Sequence, residues 1–255
     1  MTVELVRTRT DDNVRLEGAL FRPTAGSRGP RAWPADLVIL VHGTGNNFYS
    51  PGIREHAAAT VAAAGTPALR INTRGHDGLS GGRGGAALEQ IDDCRLDLAA
   101  WWAWGRERDW ERIVLVGHSM GGAVGVLSGD EQIALLVSLA GMVHTRAFAE
   151  REFGEEIPDQ GCMWEEPDCP VSQAYMDDMA QIDSVVGRGA GISVPWLLVH
   201  GTEDDVVPIA DSRDILAQAG ANAELSTIDG ADHLFSEHAH VMVAKVVDWL
   251  RGHWA

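Results

Sequence analysis

The chain has 255 residues and a formal net charge of −17. It is long enough for one large α/β domain, and its acidity disfavours nucleic acids and anionic membrane surfaces as partners. It has no apolar run of about 18 residues and no apolar signal-peptide core near Met1, so we expect a cytoplasmic protein without a transmembrane helix. Its three cysteines fit a reducing compartment, and we expect Cys162 and Cys169 to be thiols rather than a disulfide.

The first residues alternate between apolar and polar side chains on both sides of the turn-forming pair Asp12-Asn13. This pattern predicts an antiparallel hairpin that ends at Pro23.

Beyond residue 36 the chain alternates between continuous apolar runs and helical stretches, as in a parallel sheet covered on both faces. Strands are predicted at residues 37–41, 68–71, 113–116, 135–139, 196–199 and 224–228. Helices are predicted at residues 54–64, 88–106, 120–128, 210–219 and 239–252. With the hairpin at one edge, the pattern predicts a mostly parallel eight-stranded sheet in a single domain over residues 1–255.

One long excursion, at about residues 142–193, breaks this alternation and includes a predicted helix around Ser172–Val186. An excursion of this length favours a lid or binding segment over a plain loop. Its Met and aromatic side chains, Trp164 above all, either line an apolar pocket or attach the lid to the body.

A candidate nucleophile lies in Gly117-His118-Ser119-Met120-Gly121, which matches G-x-S-x-G between a predicted buried strand and a predicted helix. In that context the motif predicts a sharp turn that projects the Ser119 hydroxyl above the sheet. The flanking glycines remove Cβ atoms that would collide with neighbouring backbone. The positive end of the following helix favours negative charge at the site.

A serine hydroxyl needs a base to take its proton. Among ten histidines, His233 is the best candidate, because it lies in a loop after the last predicted strand and before the terminal helix. His118 is too close in sequence to fold back onto Ser119. The acid that holds the imidazole is sought among Glu203, Asp204 and Asp205, which follow the strand before the last one.

The oxyanion of acyl transfer needs preorganised N–H donors. We expect them from Met120 and from the loop after the first parallel strand, with Thr44 as the choice and Gly45 as the alternative. Gly43, Phe48 and Tyr49 of that loop are predicted substrate contacts. The loop matches no phosphate-binding motif, and no histidine cluster has metal-ligand spacing, so we expect no nucleotide, metal or other cofactor.

Together, Leu40-Val41-His42-Gly43, the segment 72–78, the Ser119 motif, the acidic loop and Asp232-His233 resemble the α/β-hydrolase superfamily. In similar sequences the acid is the third residue after the glycine, which selects Asp204 and leaves Asp205 as the alternative. The order Ser119, Asp204, His233 is the one that the motif predicts.

Within the superfamily the chain resembles small serine carboxylesterases, including feruloyl- and cinnamoyl-ester hydrolases. The resemblance implies hydrolysis of a small-molecule carboxylic ester through an acyl-enzyme on Ser119. Thioesterase, lactonase, C–C bond hydrolase and peptidase activities use the same three residues and stay open. A ligand receptor that keeps these residues without catalysis is a further alternative, because a fold does not fix a function.

Overall fold

The computed structural model describes residues 1–23, 35–49, 61, 65–76, 90–167 and 169–253. These residues form an eight-stranded sheet. The strands are β1 (Thr2–Arg9), β2 (Arg15–Arg22), β3 (Leu37–Val41), β4 (Ala68–Ile71), β5 (Ile113–His118), β6 (Leu135–Leu139), β7 (Trp196–Gly201) and β8 (Ala223–Ile228). Their order across the sheet is β1-β2-β4-β3-β5-β6-β7-β8.

The sheet combines an antiparallel edge with a parallel body. β1 pairs antiparallel with β2, and β2 pairs antiparallel with β4. All other neighbouring pairs are parallel. The predicted hairpin and the mostly parallel eight-stranded sheet are therefore confirmed. Since parallel strands end at one edge, the loops after β3, β5, β7 and β8 meet there.

Helices cover both faces of the sheet. Those in the described residues are α1 (Cys94–Arg106), α2 (Met120–Ser128), α3 (Thr145–Phe153), α4 (Gln173–Ile182), α5 (Ile209–Leu216) and α6 (Ala239–Gly252). α1 begins later than predicted and α5 ends earlier. The helix predicted at residues 54–64 lies outside the described residues except for Val61. No helix in the described part of the chain is both long and apolar enough to cross a membrane.

Alternate residues of the central strands contribute to two apolar clusters, one on each face of the sheet. Ile39 of β3 belongs to the first cluster and its neighbour Leu40 to the second. The tryptophans of α1 fill the first cluster, where Trp101 is fully buried. These tryptophans pack the helix against this face of the sheet.

The long excursion at residues 142–193 folds into α3, α4 and two short 3₁₀ turns, Met163–Glu165 and Val186–Gly191. α3 packs against α4. Ser172 caps α4, since its Oγ accepts a hydrogen bond of 3.0 Å from the N–H of Tyr175. The carboxylate of Asp178 accepts a 2.6 Å hydrogen bond from the N–H of Ile91, just before α1. The excursion is thus attached to the rest of the chain next to the edge of the sheet at which the parallel strands end.

Candidate active site

Ser119 occupies the turn between β5 and α2, and its backbone has the strained angles φ 54° and ψ −117°. A positive φ costs a non-glycine residue about 1–3 kcal/mol, so the surrounding structure must hold it in place. The N–H of Ser119 donates to the carbonyl of Leu139 at 3.0 Å, and its carbonyl accepts from Gly122 and Met142 at 2.9 and 3.1 Å. The sharp turn expected at this serine is therefore observed.

Close backbone packing around the turn requires glycine. A Cβ at Gly117 would lie 2.2 Å from the carbonyl oxygen of Gly121. One at Gly121 would lie 2.8 Å from the carbonyl oxygens of Val41 and His42, and one at Gly122 would lie 2.8 Å from the Cα of Gly141. These approaches let α2 start directly beside β3, which fixes the position of the serine.

His233 and Asp204 meet above the edge of the sheet, from the loops that follow β8 and β7. Nδ1 of His233 lies 2.9 Å from Oδ2 and 3.1 Å from Oδ1 of Asp204. The side chain of Asp204 is fully buried, and that of His233 is 11% exposed. Asp205, the alternative acid, is exposed to solvent. The imidazole of His233 therefore contacts Asp204, the first of the two candidate acids.

The carboxylate of Asp204 is hydrogen-bonded on both oxygens. Oδ1 accepts from the N–H groups of Val206 and Val207 at 3.1 and 2.8 Å. Oδ2 faces His233 and, at 3.2 Å, Nε2 of the buried His200. Burial raises the pKa of Asp204, but hydrogen bonds from His200 and His233 lower it by more, so the net pKa lies well below the ordinary aspartate value. The side chain is therefore a carboxylate at neutral pH.

His118 connects the serine turn to the loop that carries His233. Its Nε2 lies 3.0 Å from the carbonyl oxygen of His233, and the two rings are 4.9 Å apart between centroids. Because a carbonyl only accepts, Nε2 of His118 carries the hydrogen of this bond. The last side chain of β5 thus fixes the main chain of the loop after β8.

The loop after β3 lies against the serine. A Cβ at Gly43 would lie 3.4 Å from Oγ of Ser119. Thr44 is next, and its buried hydroxyl has no hydrogen-bond partner in the described part of the chain. Met120 begins α2, where an N–H has no acceptor within the helix. The two expected oxyanion donors therefore lie in the loop after β3 and at the start of α2, and both elements adjoin Ser119.

The loop after β4 forms hydrogen bonds with the loop after β3. The N–H of Phe48 donates to Oδ1 of Asn72 at 2.7 Å, and the N–H of Thr73 donates to Nε2 of His42 at 3.2 Å. Asn72 and Thr73 begin the segment that resembles the superfamily; its last residues, 77 and 78, lie outside the described residues. The segment explains why Phe48 turns inward, where it is 9% exposed in the second apolar cluster.

A cavity of about 340 Å³ opens above Ser119. Its described lining consists of Gly43, Thr44, Gly45, Asn46, His118, Ser119, Phe148, Trp164, Asp205, Val206, Asp232, His233 and Leu234. The structure thus brings Ser119, His233, Thr44, Gly43 and Trp164 to one cavity. The other two predicted substrate contacts, Phe48 and Tyr49, are not among its described lining residues.

The excursion forms one wall of the cavity. Phe148 contributes from α3, and Trp164 contributes from the 3₁₀ turn with a positive φ of 49°. The indole of Trp164 lies edge-on to Phe153 at 4.9 Å between centroids, and its Nε1 donates to Glu152 at 3.2 Å. Trp164 is 44% exposed. Trp164 therefore lines the cavity and packs against α3, which is itself part of the excursion.

The charged groups that line the cavity are acidic. Asp205 is exposed, and Asp232 is tied to Ser236 by hydrogen bonds of 2.7 Å to its N–H and 2.6 Å to its Oγ. Burial raises the pKa of Asp232, but these hydrogen bonds lower it below the ordinary value. No lysine or arginine is among the described lining residues. The cavity therefore suits a neutral or cationic group better than an anionic one.

Sequence reasoning missed three apolar residues of the cavity lining, Phe148, Val206 and Leu234. Phe148 lies on α3, a helix that was not predicted, and only the packing of the excursion brings it over the serine. Leu234 is 52% exposed beside His233, a position that the neighbouring histidine could have suggested. In the described residues no group of three or more His, Cys, Asp or Glu is arranged to hold a metal ion.

Residues 52–255 match the family model of the prolyl oligopeptidase family. The chain belongs to this family. It is a hydrolase with the α/β-hydrolase fold, as the sequence resemblance indicated. Among solved structures, its fold is similar to that of Est1E from Butyrivibrio proteoclasticus, in a structure with bound ferulic acid. That match has a TM-score of 0.81 and 21% identity, and it covers 97% of this chain and 98% of Est1E.

Two curated proteins are similar to the chain in sequence. It is 26% identical over 265 residues to a monoacylglycerol lipase of Mycolicibacterium smegmatis, a match that covers 88% of this chain and 91% of the lipase. It is 39% identical over 83 residues to the non-reducing polyketide synthase Preu3 of Preussia isomera. The chain spans 3% of the length of that synthase, and the match covers 29% of this chain.

Proposed function

We propose that the chain is a serine carboxylesterase that cleaves a small ester through an acyl-enzyme on Ser119. The observation that carries the proposal is a single cavity lined both by a serine on a strained turn and by a histidine held by a buried carboxylate. Similarity to an esterase fold and to a lipase sequence supports ester chemistry within the family.

The contact between His233 and Asp204 sets the tautomer of the imidazole. A carboxylate only accepts hydrogen bonds, so Nδ1 of His233 carries a hydrogen. The lone pair of the neutral ring is then on Nε2, where it can take the proton of the Ser119 hydroxyl. Oγ of Ser119 attacks the substrate carbonyl carbon as that proton moves to His233. The buried charge of Asp204 stabilises the imidazolium that forms.

The tetrahedral intermediate carries its negative charge on the former carbonyl oxygen. The main-chain N–H groups of Thr44 and Met120 are the proposed donors, each worth about 3–4 kcal/mol in the transition state. The imidazolium of His233 gives its proton to the leaving alcohol as the C–O bond breaks. Water then attacks the acyl-enzyme with His233 as base, and the carboxylic acid and free Ser119 are regenerated.

The cavity favours a neutral, partly apolar substrate. Phe148, Trp164 and Leu234 offer apolar surface for an acyl or aryl group, and a volume of about 340 Å³ suits a small ligand. Asp205 and Asp232 disfavour a substrate with a free carboxylate. The same two groups repel the acid that ester hydrolysis produces, which favours its release.

A peptidase is the second candidate function, because the matching family is that of prolyl oligopeptidase. The same serine, histidine and aspartate cleave an amide when the histidine protonates a leaving amine. The acidic lining would accommodate a cationic amino group on such a substrate.

A fluorophosphonate probe tests the proposed nucleophile, since it phosphonylates only an activated serine. We expect stoichiometric labelling of the native chain and none of Ser119→Ala. The matched control is Ser128→Ala at the other end of α2, whose buried hydroxyl has no partner in the described residues. This control should label normally.

Turnover of p-nitrophenyl esters, acyl-thioesters and aminoacyl anilides by the same proteins then separates the activities. We expect turnover of the esters by the native chain and loss of at least about 10⁵-fold in Ser119→Ala, because the nucleophile is essential. Ester turnover by a folded Ser119→Ala variant at the native rate would refute the proposal. Faster turnover of the anilides than of the esters would favour the peptidase.

A further inference from the structure

A second histidine contacts the carboxylate that holds His233. His200, near the end of β7, has a side chain with no solvent exposure. Its Nε2 lies 2.8 Å from the carbonyl oxygen of Val207 and 3.2 Å from Oδ2 of Asp204. Its Nδ1 lies 2.7 Å from Oγ of Ser212, a residue of α5 that is 1% exposed. Both ring nitrogens therefore have defined partners in a buried environment.

These partners define the hydrogen positions of His200. The carbonyl of Val207 and the carboxylate of Asp204 are both acceptors, so Nε2 carries a hydrogen that faces the two oxygens. In the neutral ring the lone pair is then on Nδ1. The hydroxyl of Ser212 fills that position by donating to it. A ring flipped by 180° would lose both interactions, so Ser212 selects the orientation that aims an N–H at Asp204.

Two imidazoles thus face Oδ2 of Asp204, while Oδ1 accepts from two main-chain N–H groups and also lies 3.1 Å from Nδ1 of His233. A fully hydrogen-bonded carboxylate cannot rotate without losing partners in a buried site, where each loss is costly. We propose that His200 is a positioning residue that acts through Asp204, and that Ser212 sets the orientation of its ring. This inference rests on the proposed function of Ser119, Asp204 and His233.

The pH dependence of turnover distinguishes positioning from general support of the fold. Without the N–H of His200, the carboxylate of Asp204 has one donor fewer and attracts the protonated imidazole of His233 more strongly. The acidic limb of the kcat/KM profile should then move to higher pH by about 0.5–1 unit. The other titratable groups that face His233 are His118, Asp205 and Asp232, and the variants leave all three in place.

Ser212→Ala is the gentlest test, because it removes one hydroxyl and leaves every charged group. We expect kcat to fall about 5–10-fold with KM within about twofold, together with the shifted acidic limb. His200→Phe keeps a ring but has no N–H, and we expect a loss of about 100-fold in kcat. His200→Gln can still present an N–H towards Asp204, so it should recover about tenfold over His200→Phe.

Melting temperature and fluorophosphonate stoichiometry show whether each variant is folded with an intact nucleophile. Ser193→Ala, an exposed serine that contacts Asp130 rather than the site, is the control and should keep the native pH profile. Lower activity with an unchanged acidic limb in Ser212→Ala would overturn the inference, as would equal activity of His200→Gln and His200→Phe. If the native chain itself resists the probe, the proposed function fails first.

Discussion

Asp204 and Asp205 are neighbours in the chain, yet their side chains lie in opposite environments. The carboxylate of Asp204 is fully buried and lies 2.9 Å from Nδ1 of His233, whereas Asp205 is exposed at the cavity lining. The turn that follows β7 causes the difference, because the N–H groups of Val206 and Val207 bind Asp204 and turn it inward.

This difference gives the first prediction, for the paired variants Asp204→Asn and Asp205→Asn. An amide at Asp204 can donate to Nδ1 of His233 and so favour the wrong tautomer, which should lower kcat about 10⁴-fold, as in serine proteases. An exposed carboxylate contributes little, so Asp205→Asn should stay within about threefold. Steady-state kinetics on a p-nitrophenyl ester measure both. A larger loss in Asp205→Asn would assign the acid to that residue.

The second prediction concerns the serine turn. In Gly117→Ala the added Cβ would lie 2.2 Å from the carbonyl oxygen of Gly121, and backbone cannot move aside as a side chain can. We expect the variant to lose about 3 kcal/mol or more, which lowers the melting temperature by about 6–12 °C in a chain of this size.

Gly187→Ala is the control for that variant, since a Cβ there would have no heavy atom within 4 Å. Its melting temperature should stay within about 2 °C of the native value. Equal melting temperatures for the two variants would show that α2 can shift away from β5.

The third prediction concerns the hydroxyl of Thr44, which is buried without a partner in the described part of the chain. An unsatisfied buried hydroxyl costs about 1–3 kcal/mol, so Thr44→Val, of the same shape, should raise the melting temperature by about 2–12 °C. The main-chain N–H proposed as oxyanion donor is unchanged, and kcat should stay within about tenfold. A lower melting temperature, or loss of turnover, would indicate that the hydroxyl gains a partner.

The fourth prediction is a pH dependence of stability. The net pKa of Asp204 is lower in the folded chain than its unfolded value of about 3.9, so its ionisation stabilises the fold. That contribution is complete above about pH 5 and is lost as the pH falls through 4 towards the folded pKa.

Melting temperatures of the native chain and of Asp204→Asn between pH 7 and pH 3 test whether ionisation of Asp204 stabilises the fold. The variant cannot titrate at this position, so the difference between the two proteins should shrink as the pH falls. A difference that stays constant, or that grows in acid, would contradict the lowered pKa.

Much of the fold was predictable because the central strands are buried on both faces. Continuous apolar runs marked β3, β5 and β6 at nearly their observed bounds. The eight-stranded sheet followed from these runs and the alternating hairpin. The helix bounds were predicted less accurately, because helix propensity alone does not specify the residues at which a helix begins and ends. α1, for example, begins at Cys94 rather than near residue 88.

The excursion at residues 142–193 was predictable in position and not in detail. α4 was expected, and its cap at Ser172 is a local signal that the sequence carries. α3 was not expected, because its apolar residues are few and face the rest of the excursion. The part of the cavity that Phe148 forms depends on that packing, so the sequence could not predict it.

The features of the active-site loops also fall into a part that the sequence predicts and a part that it does not. Gly117 and Gly121 mark the serine turn because chain geometry there excludes any side chain. The contact of Asn72 with Phe48 joins two loops that are 24 residues apart in sequence, and the contact of His200 with Ser212 joins β7 to α5. Pairings of this kind appear only when the sheet brings its loop ends together.

His118 binds the carbonyl oxygen of His233 rather than its ring, and this has a consequence for motion during turnover. The segment after β8 is anchored through its main chain, so the imidazole does not have to hold its own loop. In the reaction proposed above, the ring exchanges hydrogen-bond partners, from serine to leaving group to incoming water, while the anchor at His118 stays closed. The main chain of His233 is therefore held in place while its ring remains free to change partners.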